Sequence, residues 1–198
     1  LHETLTNLEQ RIADRTHDLE LASEVGRAVS ESAGNLSALL FKAAETIRSR
    51  FNLYYTQIYL VNPSENSLVL RAGTGGVGEQ LLRRGHRLGI SSTSLNGRAA
   101  SERQPVLVGN TQTSPDFLPN PLLPHTRSEL SIPLMVNNVV VGVLDMQSNQ
   151  ADAFNEANLP AFQVLAGQLA IAIQNAPLFE QAEEARREVE KQAQRLTT

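Results

Sequence analysis

The sequence predicts an α+β fold: a central, mostly antiparallel sheet with helices on one face and loops on the other, flanked by a helix at each end. Three observations carry this. Charge is concentrated in the ends, with seven acidic and three basic residues in 1–31 and five acidic and four basic in 178–198. All twelve glycines and all nine prolines fall between Gly26 and Pro177, so the turn-formers punctuate only the middle. Inside that middle the apolar period switches from helical spacing to alternation and back again, which orders helices, strands and a final helix.

Taken in order, Leu5, Leu8, Ile12, Leu19 and Ala22 follow a 4-3 spacing with Arg15 and Gly26 on the same seam. A stripe this narrow is the mark of a coiled coil. It predicts a helix over 1–31 that pairs with a second copy and merges into the domain from about residue 19. Asn35 can cap a helix carrying Leu36, Leu39, Leu40, Ala43, Ala44 and Ile47. Residues 54–61 are aromatic and β-branched and end at Asn62-Pro63, so they predict a strand, paired as a hairpin with 67–72. The run Thr74-Gly75-Gly76-Val77-Gly78 lacks the Lys-Ser/Thr of a phosphate loop and reads as a flexible loop. A short helical stretch follows at 94–101, then strands over 105–108, 129–136 and 139–146, the last two joined by a two-residue Asn137-Asn138 turn. The C-terminal spacing Val164, Ile171, Leu178, Ala185, Val189 and Leu196 forms a second seam, and Pro177 is expected to kink or break that helix where the domain ends. The expected division is a helix over 1–31, a domain over 32–176 and a helix over 177–198.

The absence of cysteine removes thiol nucleophiles, redox pairs and thiolate-ligated zinc. The central domain sums to about +1, which gives no electrostatic basis for nucleic-acid binding. No apolar run of membrane-spanning length occurs, so no direct membrane contact and a cytoplasmic setting are expected. The histidines are scattered without ligand spacing, so no metal is expected, and no nucleophile–base arrangement suggests an enzyme. In the first strand, Thr56, Ile58 and Leu60 suit the helix-covered face, leaving Tyr55, Gln57 and Tyr59 on the other. Six arginines between 71 and 103 could favour an anionic ligand, but Arg83, Arg84 and Arg87 have the spacing of a solvated helix face, and surface is the preferred reading.

The order and motifs of residues 20–176 resemble the GAF domain family of small-molecule sensors. The resemblance rests on Leu95-Asn96-Gly97-Arg98-Ala99-Ala100, on Arg127-Ser128-Glu129-Leu130-Ser131-Ile132-Pro133-Leu134, on Val141-Gly142-Val143-Leu144-Asp145, and on Ala153-Phe154-Asn155-Glu156 leading into Leu165-Ala166-Gly167-Gln168. The stretch from Leu8 to Thr16 is similar to the signalling linkers of bacterial sensor histidine kinases. The resemblance implies a GAF/PAS-like sheet and a ligand pocket on its loop face, with the proline-rich loop 110–127 crossing it. The candidate pocket residues are then Tyr55, Gln57, Tyr59, His86, Asn110, Phe117, His125, Arg127, Glu129 and Ser131. It also implies what is missing. Covalent bilin and the cysteine-dependent reduction of free methionine sulfoxide need a residue the chain lacks, and the cyclic-nucleotide signature cannot be laid on it. His86 or His125 could face a haem, but a lone loop histidine argues against one. What remains is a non-catalytic sensory or relay module working as a homodimer through its flanking helices, with a structural spacer bearing a vestigial pocket as the alternative.

Overall fold

The computed structural model describes residues 2–30, 35–115 and 117–196. Its elements are helix α1 (His2–Ser30), helix α2 (Leu36–Arg50), strand β1 (Tyr55–Asn62), strand β2 (Ser67–Gly73), helix α3 (Gly75–Arg83), strand β3 (Arg87–Gly89), helix α4 (Leu95–Glu102), strand β4 (Val106–Val108), strand β5 (Ser128–Val136), strand β6 (Val139–Ser148) and helix α5 (Leu159–Leu196). The strands form one six-stranded sheet in the order β3-β2-β1-β6-β5-β4, antiparallel at every pairing.

The period-2 pattern decides which side chain faces where. Ile58 of β1, Leu130, Ile132 and Leu134 of β5, and Leu144 and Met146 of β6 pack with the buried faces of α2 and α5. α2 begins where Asn35 Oδ1 accepts from the Ala38 amide at 2.7 Å, and it buries Leu39, Leu40, Ala43, Ala44 and Ile47. The seam of α1 joins this core near the expected place, because Ala22 and Val25 are buried whereas Leu19 is 40% exposed. Gly26 permits the approach of α5: a Cβ there would stand 1.5 Å from Gln168 Oε1. Alternate residues of β1, β5 and β6 point to the opposite face, where Tyr55, Tyr59 and Val143 meet Leu81 of α3 and Leu95, Ala99 and Ala100 of α4.

Three expectations are corrected. The segment expected to be a loop at 74–78 opens helix α3 instead. Gly75 at φ +62° turns the chain out of β2, and Gly78 lets the first helical turn lie on the strand, since a Cβ there would stand 2.0 Å from the Gly73 carbonyl oxygen. The arginines read as one helix face are divided: Arg83 ends α3, Arg84 caps it, and Arg87 lies on β3, a strand too short and polar for its period to show. Finally, of the kink or break expected at Pro177, the break does not occur: α5 continues through it to Leu196. The missing amide costs one helical hydrogen bond, and the turns on either side outlast that loss.

Candidate functional site

The loop-side face of the sheet carries two polar rows fixed by strand register. One row is Tyr55, Gln147 and Glu129; the next is Gln57, Asp145 and Ser131, each running across β1, β6 and β5. Leu130 and Met146 alternate with these on β5 and β6 and pack on the helix side.

These rows form one network centred on Asp145, which is fully buried. Asp145 Oδ2 accepts from Gln57 Nε2 at 2.7 Å and from Gln147 Nε2 at 2.9 Å, while Oδ1 accepts from Ser131 Oγ at 3.2 Å. The tyrosine and threonine at either end complete it: the Tyr55 hydroxyl donates to Gln57 Oε1 at 3.2 Å, and Thr126 Oγ1 donates to Gln147 Oε1 at 2.7 Å. Glu129 hydrogen-bonds Asp145 as well. Burial is the main cause of the upward shift of both carboxyls. For Glu129 the neighbouring Asp145 charge adds to it, whereas the donors around Asp145 pull that group back down. The charge therefore belongs on Asp145 and the proton on Glu129. Burial also raises the Tyr55 and Tyr59 hydroxyls, with Asp145 adding to both, so each stays a neutral donor.

Above this floor lies a cavity of about 620 Å³. Gln57, Tyr59, Glu129 and Gln147 belong to the floor; Leu81 and Arg84 of α3, with His86 and Leu88, form one wall; Thr93 to Asn96 at the start of α4 form another. Residues 117–122 of the long loop cross the mouth, with Leu118 67% exposed there. Ser94 fixes the α4 wall by accepting from the Gly97 amide at 3.0 Å. Burial lowers the His86 pKa, which keeps the ring neutral near pH 7, 6.1 Å from the Tyr59 ring.

Of the sequence-selected residues, Gln57, Tyr59, His86, Phe117 and Glu129 line the cavity. Tyr55 and Ser131 stand behind them, holding Gln57 and Asp145. Asn110, His125 and Arg127 are not brought to it. Asn110 Oδ1 accepts from the Gln112 amide within the loop; His125 is exposed, its ring against Tyr54; and the Arg127 backbone pairs with Ser148 and Thr111. All three belong to the loop 110–127 or its end, where sequence carries no periodicity to tell inward from outward. Asp145, Gln147 and Asn96 went unselected. The register of the Asn137-Asn138 turn, carried along the strands, would have set Glu129 opposite Met146; the bulge between Leu134 and Met135 shifts it by one and brings Asp145 and Gln147 to the face of Glu129 and Ser131. Nothing comparable marks Asn96.

A family model described as "GAF domain" matches residues 33–174. Among curated proteins, GAF domain-containing protein A of Dictyostelium discoideum is 26% identical over 122 residues, covering 62% of this chain and 71% of that protein. Among solved structures, a free methionine-R-sulfoxide reductase of Neisseria meningitidis, solved with its substrate, has a TM-score of 0.70 at 22% identity, covering 83% of this chain and 93% of that one. The GAF domain of an Acinetobacter phosphoenolpyruvate-protein phosphotransferase has a TM-score of 0.68 at 23% identity, covering 82% and 96%. At these identities the structural likeness is one of fold, and that fold is occupied by a reductase as well as by domains of larger proteins.

Proposed function

The chain belongs to the GAF domain family, and from that premise we propose that it is a non-catalytic sensory module of a bacterial signal-transduction protein such as a cytoplasmic sensor histidine kinase. It binds a small molecule reversibly and relays the event through the paired helices of a parallel homodimer. The observation that carries this reading is the cavity: about 620 Å³ of space over a buried polar floor, with residues 117–122 of the long loop at its mouth. A vestigial site would be filled by its own side chains. The neighbour whose title names a free methionine-R-sulfoxide reductase marks the fold as able to hold a metabolite, and without cysteine this chain keeps the binding half of that ability.

The relay half draws support from the flanking helices. Leu5, Leu8 and Ile12 of α1 are more than half exposed, as are Ile171, Leu178 and Val189 of α5, while Val164 is 39% exposed. Ala185 is exposed as well; the side chain of Leu196 lies outside the described residues. Two apolar stripes on adjacent helices have a coiled-coil-like partner face to offer a second copy. Among the described residues, no helix is long and apolar enough to cross a membrane. Native mass spectrometry of the purified chain tests both halves: the expected result is a dimer that exchanges a co-purifying or added small molecule. A monomer at tens of micromolar, with no binder in a metabolite thermal-shift screen, would return the chain to the role of an inert fold.

A further inference from the structure

The polar atoms of the cavity specify the head group it takes, an inference that rests on the sensory reading of the same site. The floor's charge is internally settled. Asp145 is surrounded by Gln57, Gln147, Ser131 and Glu129, and among the described residues neither carboxyl forms an ion pair with a basic side chain. With its proton held toward Asp145, Glu129 keeps acceptor capacity on the carboxyl that lines the cavity.

A second acceptor is unclaimed. Asn96, only 6% exposed, lines the same cavity from the first turn of α4, and its Oδ1 is buried with no hydrogen-bond partner. A buried acceptor left unmade costs about 1–3 kcal/mol, so one retained at a cavity wall is an atom waiting for a donor. The glutamines supply the opposite character. Gln57 and Gln147 have their carbonyl oxygens occupied by Tyr55 and Thr126, and each commits one Nε2 hydrogen to Asp145, which leaves each a second hydrogen to donate. The lining thus offers acceptors and donors together on a floor without unpaired charge, beneath walls that are apolar at Leu81, Leu88, Leu95, Phe117 and Leu122 and carry a cation at Arg84.

We infer that the cavity recognises an uncharged small molecule with an apolar body and a carboxamide-type edge, its N–H donating to Asn96 Oδ1 or Glu129 and its C=O accepting from Gln57 or Gln147. A carboxylate head finds a counter-charge only at Arg84 on the wall, brings no donor to Asn96 Oδ1, and has to lie over the buried carboxylate of Asp145. An ammonium head has no acceptor for the glutamines and needs the Glu129 proton to leave before it finds a counter-charge.

The test compares three probes of one size, benzamide, benzylamine and benzoate, titrated into the intact protein and followed by ¹H–¹⁵N NMR of the Asn and Gln side-chain amides. Benzamide is expected to bind at least fivefold tighter than either other probe and to shift the Asn96, Gln57 and Gln147 signals. Asn96→Leu is expected to weaken benzamide about tenfold, which corresponds to about 1.4 kcal/mol. Tighter binding of benzoate, or of benzylamine with release of a proton, overturns the head-group assignment while leaving a sensing pocket standing. Absence of benzamide binding overturns it as well; the separate metabolite screen then decides whether the sensory reading falls with it.

Discussion

Helix α3 holds one wall of the cavity, and its seat on the sheet is a contact between two glycines. Replacing Gly78 with alanine puts a methyl group 2.0 Å from the Gly73 carbonyl oxygen and 2.1 Å from its carbonyl carbon, where ordinary contact begins at 3.4 Å. The obstacle is backbone on both sides, so the helix has to withdraw by more than an ångström. Overpacking of this kind costs about 1–3 kcal/mol. Withdrawal also partly uncovers Leu81, which is 5% exposed, and full exposure of such a side chain is worth about 1.5–3 kcal/mol. A net loss of about 2–4 kcal/mol follows, and at about 2–4 °C per kcal/mol the midpoint falls by roughly 4–16 °C. The assay is thermal unfolding by calorimetry with Gly76→Ala as the matched control. Position 76 lies on the same helix with nothing within 4 Å of its added Cβ, so alanine there is expected to hold or raise stability by up to about 1 kcal/mol. Equal stability of the two variants would refute the glycine seat, and with it the placement of Leu81 and Arg84 at the cavity.

Two further outcomes are expected. Glu129 sits buried beside Asp145, with Tyr59 nearby, and burial raises its pKa, so the wild type binds more protons folded than unfolded over the interval above the ordinary carboxylate range, and this group's contribution is full at acid pH and lost as pH rises. Glu129→Gln removes that titration, and the midpoint of the variant minus that of the wild type should grow from about pH 4.5 to 8; a difference independent of pH would show that the proton is not where the network puts it. Pro177→Ala restores an amide inside α5, a change worth about 3 kcal/mol in a helix interior, so amide hydrogen exchange at 174–180 should slow while the domain midpoint stays nearly constant. Unchanged exchange would mean that the missing amide does not limit the stability of that segment.

Much of the fold could be read before any coordinates because the helix and strand periods differ. Alternation groups Leu130 with Ile132 in one strand and Leu144 with Met146 in the next, and the bulge between Leu134 and Met135 brings the two sets to one face, where they are buried together. The same alternation in β1 separated Ile58 from Tyr55, Gln57 and Tyr59 correctly. Helix α3 was lost to its composition: four residues of Thr74–Gly78 besides Thr74 include three glycines, which are poor helix formers, and the reason for them lies in Gly73, a residue on a different element. Continuity through Pro177 likewise reflects the helical turns on either side of it, which a local rule about proline does not contain.

By itself, then, the sequence determined the layer order, the helical faces of the core, the two flanking helices and the lack of thiol chemistry, since each depends on short-range spacing or simple presence. The tertiary structure decided the site. Asp145 and Gln57 lie 88 positions apart yet bond at 2.7 Å, and Asn96 becomes a buried acceptor only because α4 closes over a sheet whose polar rows are set by register. Pairing distance in a sheet bears no relation to distance along the chain, so which polar residues meet, and which are left waiting for a ligand, is fixed only when the strands are laid side by side.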